Sequence, residues 1–145
     1  MTKLTEEQIK DIAQQLDCGL SCHVNIKTSE LLFIPDTKQY ADEDLDAWAD
    51  DLKKIKKDKK NYRTIDPPNS SDSFNIMPQF IKTLPDDLTL TDILTKALTK
   101  RKPFQEFKFA IDNSGDNRQK WFDFKDQMLV QWVKNELKYI DDQDE

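Results

Sequence analysis

The first helical pattern lies close to the start of the chain. Four apolar residues recur there at a spacing of three and four positions: Ile9, Ile12, Ala13 and Leu16. Thr5 and Gln8 match a capping box, in which each side chain accepts a hydrogen bond from the other residue's backbone N–H. Gly19 is suited to end the helix, because glycine readily adopts the left-handed backbone conformation. We therefore predict a helix over residues 6–17.

Beyond this glycine the spacing of apolar residues changes to two. Four of them alternate with polar residues: Leu20, Cys22, Val24 and Ile26. This pattern predicts a half-buried strand with Ser21, His23 and Asn25 on its polar face. Residues 31–34 (LLFI) predict a second strand that pairs with the first as an antiparallel hairpin. A lone hairpin is marginal in water, and residues 62–65 (YRTI) are the candidate third strand.

Residues 41–60 are the most highly charged part of the chain. Six acids occupy positions 42–51 and six lysines occupy positions 53–60. This order suits a helix, whose positive N-terminal end favours acids and whose negative C-terminal end favours lysines. A narrow apolar stripe runs through it: Leu45, Trp48, Ala49, Leu52 and Ile55. We predict a solvated helix with internal pairs such as Asp50–Lys54. The alternative is a basic patch that meets an acidic partner or nucleic acid.

Residues 65–84 join the first half of the chain to the second. They begin with two prolines and a polar turn, and then become apolar at helical spacing: Phe74, Met77, Phe80, Ile81 and Leu84. Ser71 or Ser73 is suited to cap this helix. Pro78 conflicts with it, because proline has no N–H to donate and clashes with the carbonyl four residues back. We expect either a helix that begins near Asn75 or a kinked helix that begins at Ser71.

Three more helical patterns follow. The first contains Leu90, Ile93, Leu94, Ala97 and Leu98, with Thr89 and Asp92 as a weak capping box. The second is predicted to run for about two turns with Phe104, Phe107, either Phe109 or Ala110, and Ile111 on its apolar face. The third covers residues 117–140 and has a wide apolar stripe. Residues 141–145 are expected to form a frayed acidic tail.

Together these elements predict an α+β fold, in which a small antiparallel sheet packs with a C-terminal helical layer. The chain has 145 residues, which fits a single domain over residues 1–145. Its net charge of −6 argues against nucleic acid as a partner. Only two glycines are present, so glycine-rich phosphate loops and dinucleotide-binding motifs are excluded. No apolar run is long enough to cross a membrane, and we expect a cytoplasmic protein.

Candidate catalytic residues are few. His23 is the single histidine, and it lies on the strand face opposite Cys22, so a Cys–His pair is disfavoured. Cys18 and Cys22 do not have the spacing of a zinc site and are predicted to be reduced thiols. The acid clusters lack the spaced ligands of a calcium loop. We therefore predict no catalytic residue, no cofactor and no metal.

Four segments of the chain, taken in order, resemble a bacterial family: HVNIKTSELLFIP, YRTIDPPNSSDSFNIMPQFIKTL, ILTKALTKRKPFQEFKFAI and KWFDFKDQMLVQWVKNEL. The family is the uncharacterised protein family zero-one-five-eight of the UPF series, and the similarity spans residues 20–137. The resemblance implies an intracellular bacterial protein with an α+β fold and no established activity. Pro78 and the segment 100–103 depart from the family pattern.

Two functional hypotheses remain open. The first is a non-enzymatic interaction or regulatory module that binds a protein partner or itself, through a surface formed by Lys102, Phe104, Lys108 and Trp121. Aromatics at helical spacing, Trp121 included, are more often core residues. The second hypothesis is an enzyme or a nucleic-acid-acting accessory protein with a cleft near residues 71–108. Its candidate polar groups are Ser71, Asp72, Glu106 and Lys108.

Overall fold

The computed structural model describes residues 4–35, 46–86 and 88–143 of the chain. In these ranges it has the predicted α+β class. The helices are α1 (Glu6–Asp17), α2 (Ala49–Lys57), α3 (Ser70–Ile81), α4 (Thr89–Ala97), α5 (Pro103–Asp112) and α6 (Asn117–Gln143). The strands are β1 (Leu20–Asn25), β2 (Leu31–Pro35) and β3 (Tyr62–Ile65), and a short 3-10 helix, Lys59–Asn61, precedes β3.

The predicted capping box at the start of α1 is confirmed. Thr5 Oγ1 accepts a hydrogen bond from the Gln8 N–H at 3.1 Å, and Gln8 Oε1 accepts one from the Thr5 N–H at 2.9 Å. Both bonds satisfy N–H groups that a helix start leaves without an internal partner. The four predicted apolar residues are all buried, so α1 begins and faces the core as its sequence indicates.

The three strands form one antiparallel sheet in the order β2-β1-β3. Cys22 on the central strand lies opposite Phe33 on one side and Ile65 on the other. The predicted hairpin and third strand are therefore confirmed. The predicted polar face of β1 is wrong in one respect, because Ser21 and Asn25 are buried.

Part-buried hydrogen bonds explain how two polar residues of β1 are buried. The Ser21 hydroxyl donates to Asp66 Oδ1 at 2.7 Å. The Asn25 amide donates to Asp58 Oδ2 at 3.2 Å, and its oxygen accepts from the N–H groups of Lys27 and Thr28. A buried polar group that is fully hydrogen-bonded avoids most of the cost of leaving water.

The chain forms two compact units, each with its own apolar cluster. The first unit contains residues 1–67 and 129–145. Its buried cluster draws on α1, the sheet and the second half of α6: Ile9, Ile12, Ala13, Leu16, Cys22, Val24, Ile65, Leu129, Val133, Leu137 and Ile140.

The second unit contains residues 68–128. Its buried cluster is Met77, Phe80, Leu84, Leu90, Leu94, Phe107 and Ile111, with half-buried residues such as Trp121 and Phe124 packed against it. The single domain expected over residues 1–145 stays a prediction.

The charged segment forms a largely solvated helix, as predicted. None of the nine residues of α2 is buried. Lys54, however, pairs with Glu30 at 2.7 Å rather than with Asp50. This ion pair joins α2 to the β1–β2 connection. The first part of the predicted helix, residues 41–45, lies outside the described residues.

Helix α3 corrects the expectation for the joining stretch. It begins at Ser70 and is capped by Asn69, whose side chain accepts a hydrogen bond from the Asp72 N–H at 2.8 Å. Ser71 and Ser73 are therefore inside the helix rather than at its cap. Pro78 lies within α3, and the helix continues past it to Ile81, so a start near Asn75 is wrong.

The later helices follow the predicted pattern with changes at their ends. Leu88 is the N-cap of α4, and it makes no side-chain cap bond, so the predicted capping box at Thr89 is wrong. Pro103 occupies the start of α5, where its missing N–H has no cost. Helix α6 continues through residues 141–143 of the predicted acidic tail. Residues 144–145 lie outside the described residues.

Candidate interaction surface

Helix α5 presents aromatic side chains on both its inner and its outer face. Phe107 and Ile111 point into the second unit and are 1% exposed. Phe104 and Phe109 are 45% and 69% exposed. At about 100° per residue, these two phenylalanines lie about 140° apart around the helix axis. They therefore mark the two edges of a broad solvent-facing arc.

The two exposed phenylalanines differ in how they are held. The ring of Phe104 packs edge-on against Phe74 of α3, with centroids 6.1 Å apart. Phe109 makes no ring contact with another aromatic side chain in the described part of the chain. Lys108 follows Phe104 by one helical turn and is exposed. Lys102 is the N-cap residue of α5 and is also exposed.

The cations around α5 are only partly neutralised. Lys100 pairs with Glu106 at 3.7 Å, and Arg118 pairs with Asp112 at 3.2 Å. In residues 4–35, 46–86 and 88–143 no carboxylate forms an ion pair with Arg101, Lys102 or Lys108. The outer face of α5 is consequently both aromatic and cationic. We call Lys102, Phe104, Lys108 and Phe109 the α5 surface.

Trp121 occupies a different position from the other three predicted surface residues. It is half-buried, and its ring centroid lies 4.8 Å from that of Phe107 and 5.3 Å from that of Phe80. Trp121 therefore packs in the aromatic core beneath α5. This agrees with the expectation that aromatic residues at helical spacing are more often core residues than surface residues. From this position it fixes the inner face of the helix that carries the α5 surface.

Phe109 is the residue of this surface that the sequence did not single out. The pattern left either Phe109 or Ala110 on the apolar face of α5. Ala110 packs against the buried cluster, and Phe109 faces solvent. The position of Phe107 offers a signal, because position 110 lies about 60° from it around the helix axis, whereas position 109 lies about 160° away.

The polar groups of the alternative cleft can be compared with the lining of two grooves in the described residues. One groove of about 540 Å³ lies in the second unit, where Phe80, Leu84, Leu88, Lys120 and Phe124 are among its lining residues. Another, of about 520 Å³, lies in the first unit near Glu30, Lys54 and Tyr62. Neither groove is lined by the four predicted groups: Ser71, Asp72, Glu106 and Lys108.

His23 is partly buried in the sheet rather than freely exposed. Its Nδ1 lies 3.1 Å from the Thr64 hydroxyl, with which it shares a hydrogen bond. Burial lowers the pKa of His23, and the nearby carboxylate of Asp66 opposes that shift. The histidine is thus a partly buried polar residue of the sheet that is hydrogen-bonded to β3. Within the described residues, no hydrogen bond joins its imidazole to a carboxylate or a thiol.

The two cysteines are free thiols with different surroundings. Cys18 is exposed and Cys22 is fully buried in the core of the first unit. Burial raises the pKa of the Cys22 thiol to about 12, and the Asp11 carboxylate acts in the same direction. A thiol with so high a pKa is a poor nucleophile at neutral pH.

Across the described ranges, no three His, Cys, Asp or Glu side chains are grouped so that they could hold a metal ion. In the same residues, no helix combines the length and the apolar character needed to cross a membrane.

These features define the chain as a small α+β protein whose most distinctive surface is an aromatic and cationic helix face. The sequence profile of the uncharacterised protein family UPF0158 matches residues 3–144. The chain belongs to this family. It is similar to UPF0158 protein PA5073 of Pseudomonas aeruginosa, with 24% identity over 137 residues that cover 94% of this chain and 82% of the relative. No solved structure gives a significant match.

Proposed function

We propose that this protein is a small cytoplasmic interaction module without enzymatic activity, which binds a protein partner through the α5 surface. The observation that carries the proposal is the exposure of Phe109, a residue that is 69% exposed on a well-packed helix. Aromatic side chains are enriched at the energetic centres of protein interfaces. Covering such a ring with a partner would remove a large apolar area from water.

The packing of α5 makes this surface suitable for binding. Phe107 and Ile111 anchor the inner face of the helix, and Trp121 packs against Phe107. The outer face is therefore held in place before a partner arrives. A surface that is ordered in advance loses less conformational entropy on binding.

The charge of the α5 surface indicates the character of the partner. Lys102 and Lys108 lie near the exposed rings without a carboxylate partner in the described residues. An interface that combines apolar contact with acidic groups would complement both features. The second hypothesis, an enzyme or nucleic-acid-acting accessory protein, has less support because its four polar groups line neither groove.

Site-specific photocrosslinking in the native host tests the proposal. A photoreactive phenylalanine analogue at position 109 is expected to capture a specific partner. The same analogue at position 96, on the exposed side of α4, serves as the control and is not expected to capture it. If position 109 gives no adduct beyond that of the control, the α5 surface is not an interface.

Binding by the purified partner gives the quantitative test. Phe109→Ser is expected to weaken the affinity at least about tenfold, as at an interface hot spot. Lys102→Gln and Lys108→Gln are expected to weaken it less and to reduce its dependence on salt. Lys138→Gln, an exposed lysine on α6, is the matched control. Unchanged binding by folded variants at positions 102, 104, 108 and 109 would exclude this surface.

A further inference from the structure

A second charged surface lies in the first unit, on α2 and the 3-10 helix that follows it. Five exposed lysines define it, and we call them the lysine patch: Lys53, Lys56, Lys57, Lys59 and Lys60. Residues 53–60 contain six lysines and one aspartate, a net charge of +5, so the rest of the chain carries −11. The patch is thus a positively charged surface on a protein whose net charge is negative.

None of these five lysines forms an ion pair in the part of the chain that the structure describes. This is notable because the sequence has 28 acids and 22 Lys and Arg residues. Lys54, on the same helix, shows that a nearby carboxylate is reachable, since it pairs with Glu30 at 2.7 Å. The chain therefore neutralises one lysine of this segment and leaves the others without an ion pair.

Three lysines of the patch lie close enough together on α2 to repel one another. Lys53, Lys56 and Lys57 are three and four positions apart and so lie on the same side of α2. Like charges at these spacings repel each other and destabilise a helix. The helix dipole favours Lys56 and Lys57, which lie in the last turn of α2, but it does not remove their repulsion of Lys53 or of each other. An anionic partner would relieve the repulsion and bind to a surface that is already formed.

We infer that the lysine patch binds a short acidic segment of a partner protein. Two observations favour protein over nucleic acid. Tyr62, the aromatic residue that directly follows the 3-10 helix, is buried and its hydroxyl donates to Glu30, so its ring is not available for a base to stack on. The charge of −11 on the rest of the chain repels a polyanion that extends beyond the patch. A short acidic peptide binds the patch without extending into the negatively charged surroundings that would repel it.

Charge-matched probes test the inference with the full-length protein. One probe is fluorescein-labelled octaglutamate, and the other is a labelled oligothymidylate with eight phosphates. Their affinities are compared by fluorescence anisotropy at about 20 mM and about 200 mM sodium chloride, because exposed charges are screened by salt. The octaglutamate probe is expected to bind more tightly than the oligothymidylate at low salt and to be released at high salt.

Two triple variants distinguish the effect of the patch on binding from the effect of the overall charge of the protein. Lys53→Gln, Lys56→Gln and Lys57→Gln together are expected to weaken octaglutamate binding about tenfold. The control combines Lys10→Gln, Lys96→Gln and Lys138→Gln, which remove the same charge from three other exposed lysines on other helices. The control is expected to weaken binding less than about twofold.

Three outcomes would overturn the inference. They are tighter binding of the oligothymidylate through the patch, no binding of octaglutamate at low salt, and an equal loss of binding in both triple variants. If the patch variant does not fold, amide chemical shifts of the wild-type protein decide. Changes on addition of octaglutamate must then be centred on residues 53–60, and changes centred elsewhere would contradict the inference. The result is independent of whether the α5 surface binds its own partner.

Discussion

The indole Nε1 of Trp132 donates a hydrogen bond to the backbone carbonyl oxygen of Asp66 at 2.9 Å, across 66 positions of sequence. The Asp66 carboxylate accepts a second bond, from the Ser21 hydroxyl at 2.7 Å. Asp66, which directly follows β3, is therefore hydrogen-bonded to both α6 and β1. These ties hold the chain in place immediately before Pro67.

Removing the indole donor tests the strength of this tie. Trp132→Phe keeps an aromatic ring but leaves the Asp66 carbonyl without its donor, and we expect a loss of about 1 kcal/mol in the free energy of unfolding. Urea denaturation followed by circular dichroism measures it. Tyr139→Phe, an exposed aromatic residue on the same helix, is expected to change stability by less than about 0.5 kcal/mol. Equal stability of Trp132→Phe and wild type would show that the bond contributes nothing.

The cap of α3 gives a second prediction. Asn69→Ala removes the side-chain oxygen that accepts the Asp72 N–H, and we expect the protein to lose about 1 kcal/mol of stability. Asn69→Asp is expected to retain nearly all of it, because aspartate caps equally well. Ser71→Ala is the control, since Ser71 lies inside the helix and is exposed. A larger loss in Ser71→Ala than in Asn69→Ala would place the cap at the serine instead.

His23 gives a prediction about pH. Because its pKa in the folded protein is lowered, the unfolded chain takes up the proton first as pH falls. Its contribution to stability is therefore complete above about pH 6.5, the value for an unfolded histidine, and is lost as pH falls from there towards the lower pKa of the folded state. His23→Gln is expected to remove the loss of stability that His23 causes as pH falls. The loss of stability that carboxylate titration causes is expected in both proteins.

The single histidine makes the measurement direct. The ring protons of His23 are the only histidine signals in an NMR titration of this chain. Their midpoint is expected below that of a histidine in a short peptide. A midpoint at or above the peptide value would contradict the prediction, as would identical stability profiles of His23→Gln and wild type between about pH 7 and pH 5.

The cysteines give a prediction about thiol reactivity. Cys18 is exposed and is expected to react rapidly with a chromogenic disulfide reagent at neutral pH. Cys22 is expected to react only when the protein unfolds, because it is buried and its pKa is raised to about 12. Cys18→Ser should therefore show no rapid reaction in the native state. Two rapidly reacting thiols in the native wild-type protein would contradict this assignment.

Features fixed by neighbouring residues could be predicted from the sequence. The capping box of α1 depends on Thr5 and Gln8, which are three positions apart, and both of its hydrogen bonds form. The hairpin was likewise predicted from the alternation of residues 20–26 and the apolar run of residues 31–34. The cap of α3 was harder to assign because Asn69, Ser71 and Ser73 are all capable of the role.

Features that depend on distant partners could not be predicted in the same way. Ser21 and Asn25 have the alternation of exposed residues, yet they are buried because Asp66 and Asp58 reach them from 45 and 33 positions away. The α5 surface shows the same limit. The sequence pointed to Lys102, Phe104 and Lys108 but left Phe109 and Ala110 as alternatives, and the packing of Ala110 decides between them.

The composition of the first unit has a consequence for synthesis on the ribosome. Its apolar cluster takes Leu129, Val133, Leu137 and Ile140 from the last part of the chain, whereas residues 68–128 of the second unit are continuous in sequence. Synthesis proceeds at about 5–20 residues per second. About 4–16 seconds therefore pass between the addition of Pro67 and the synthesis of the residues that complete the core of the β-sheet. The second unit, although it is synthesised after the sheet, can thus complete its core first. The sheet of the nascent chain is the part that a chaperone would have to protect.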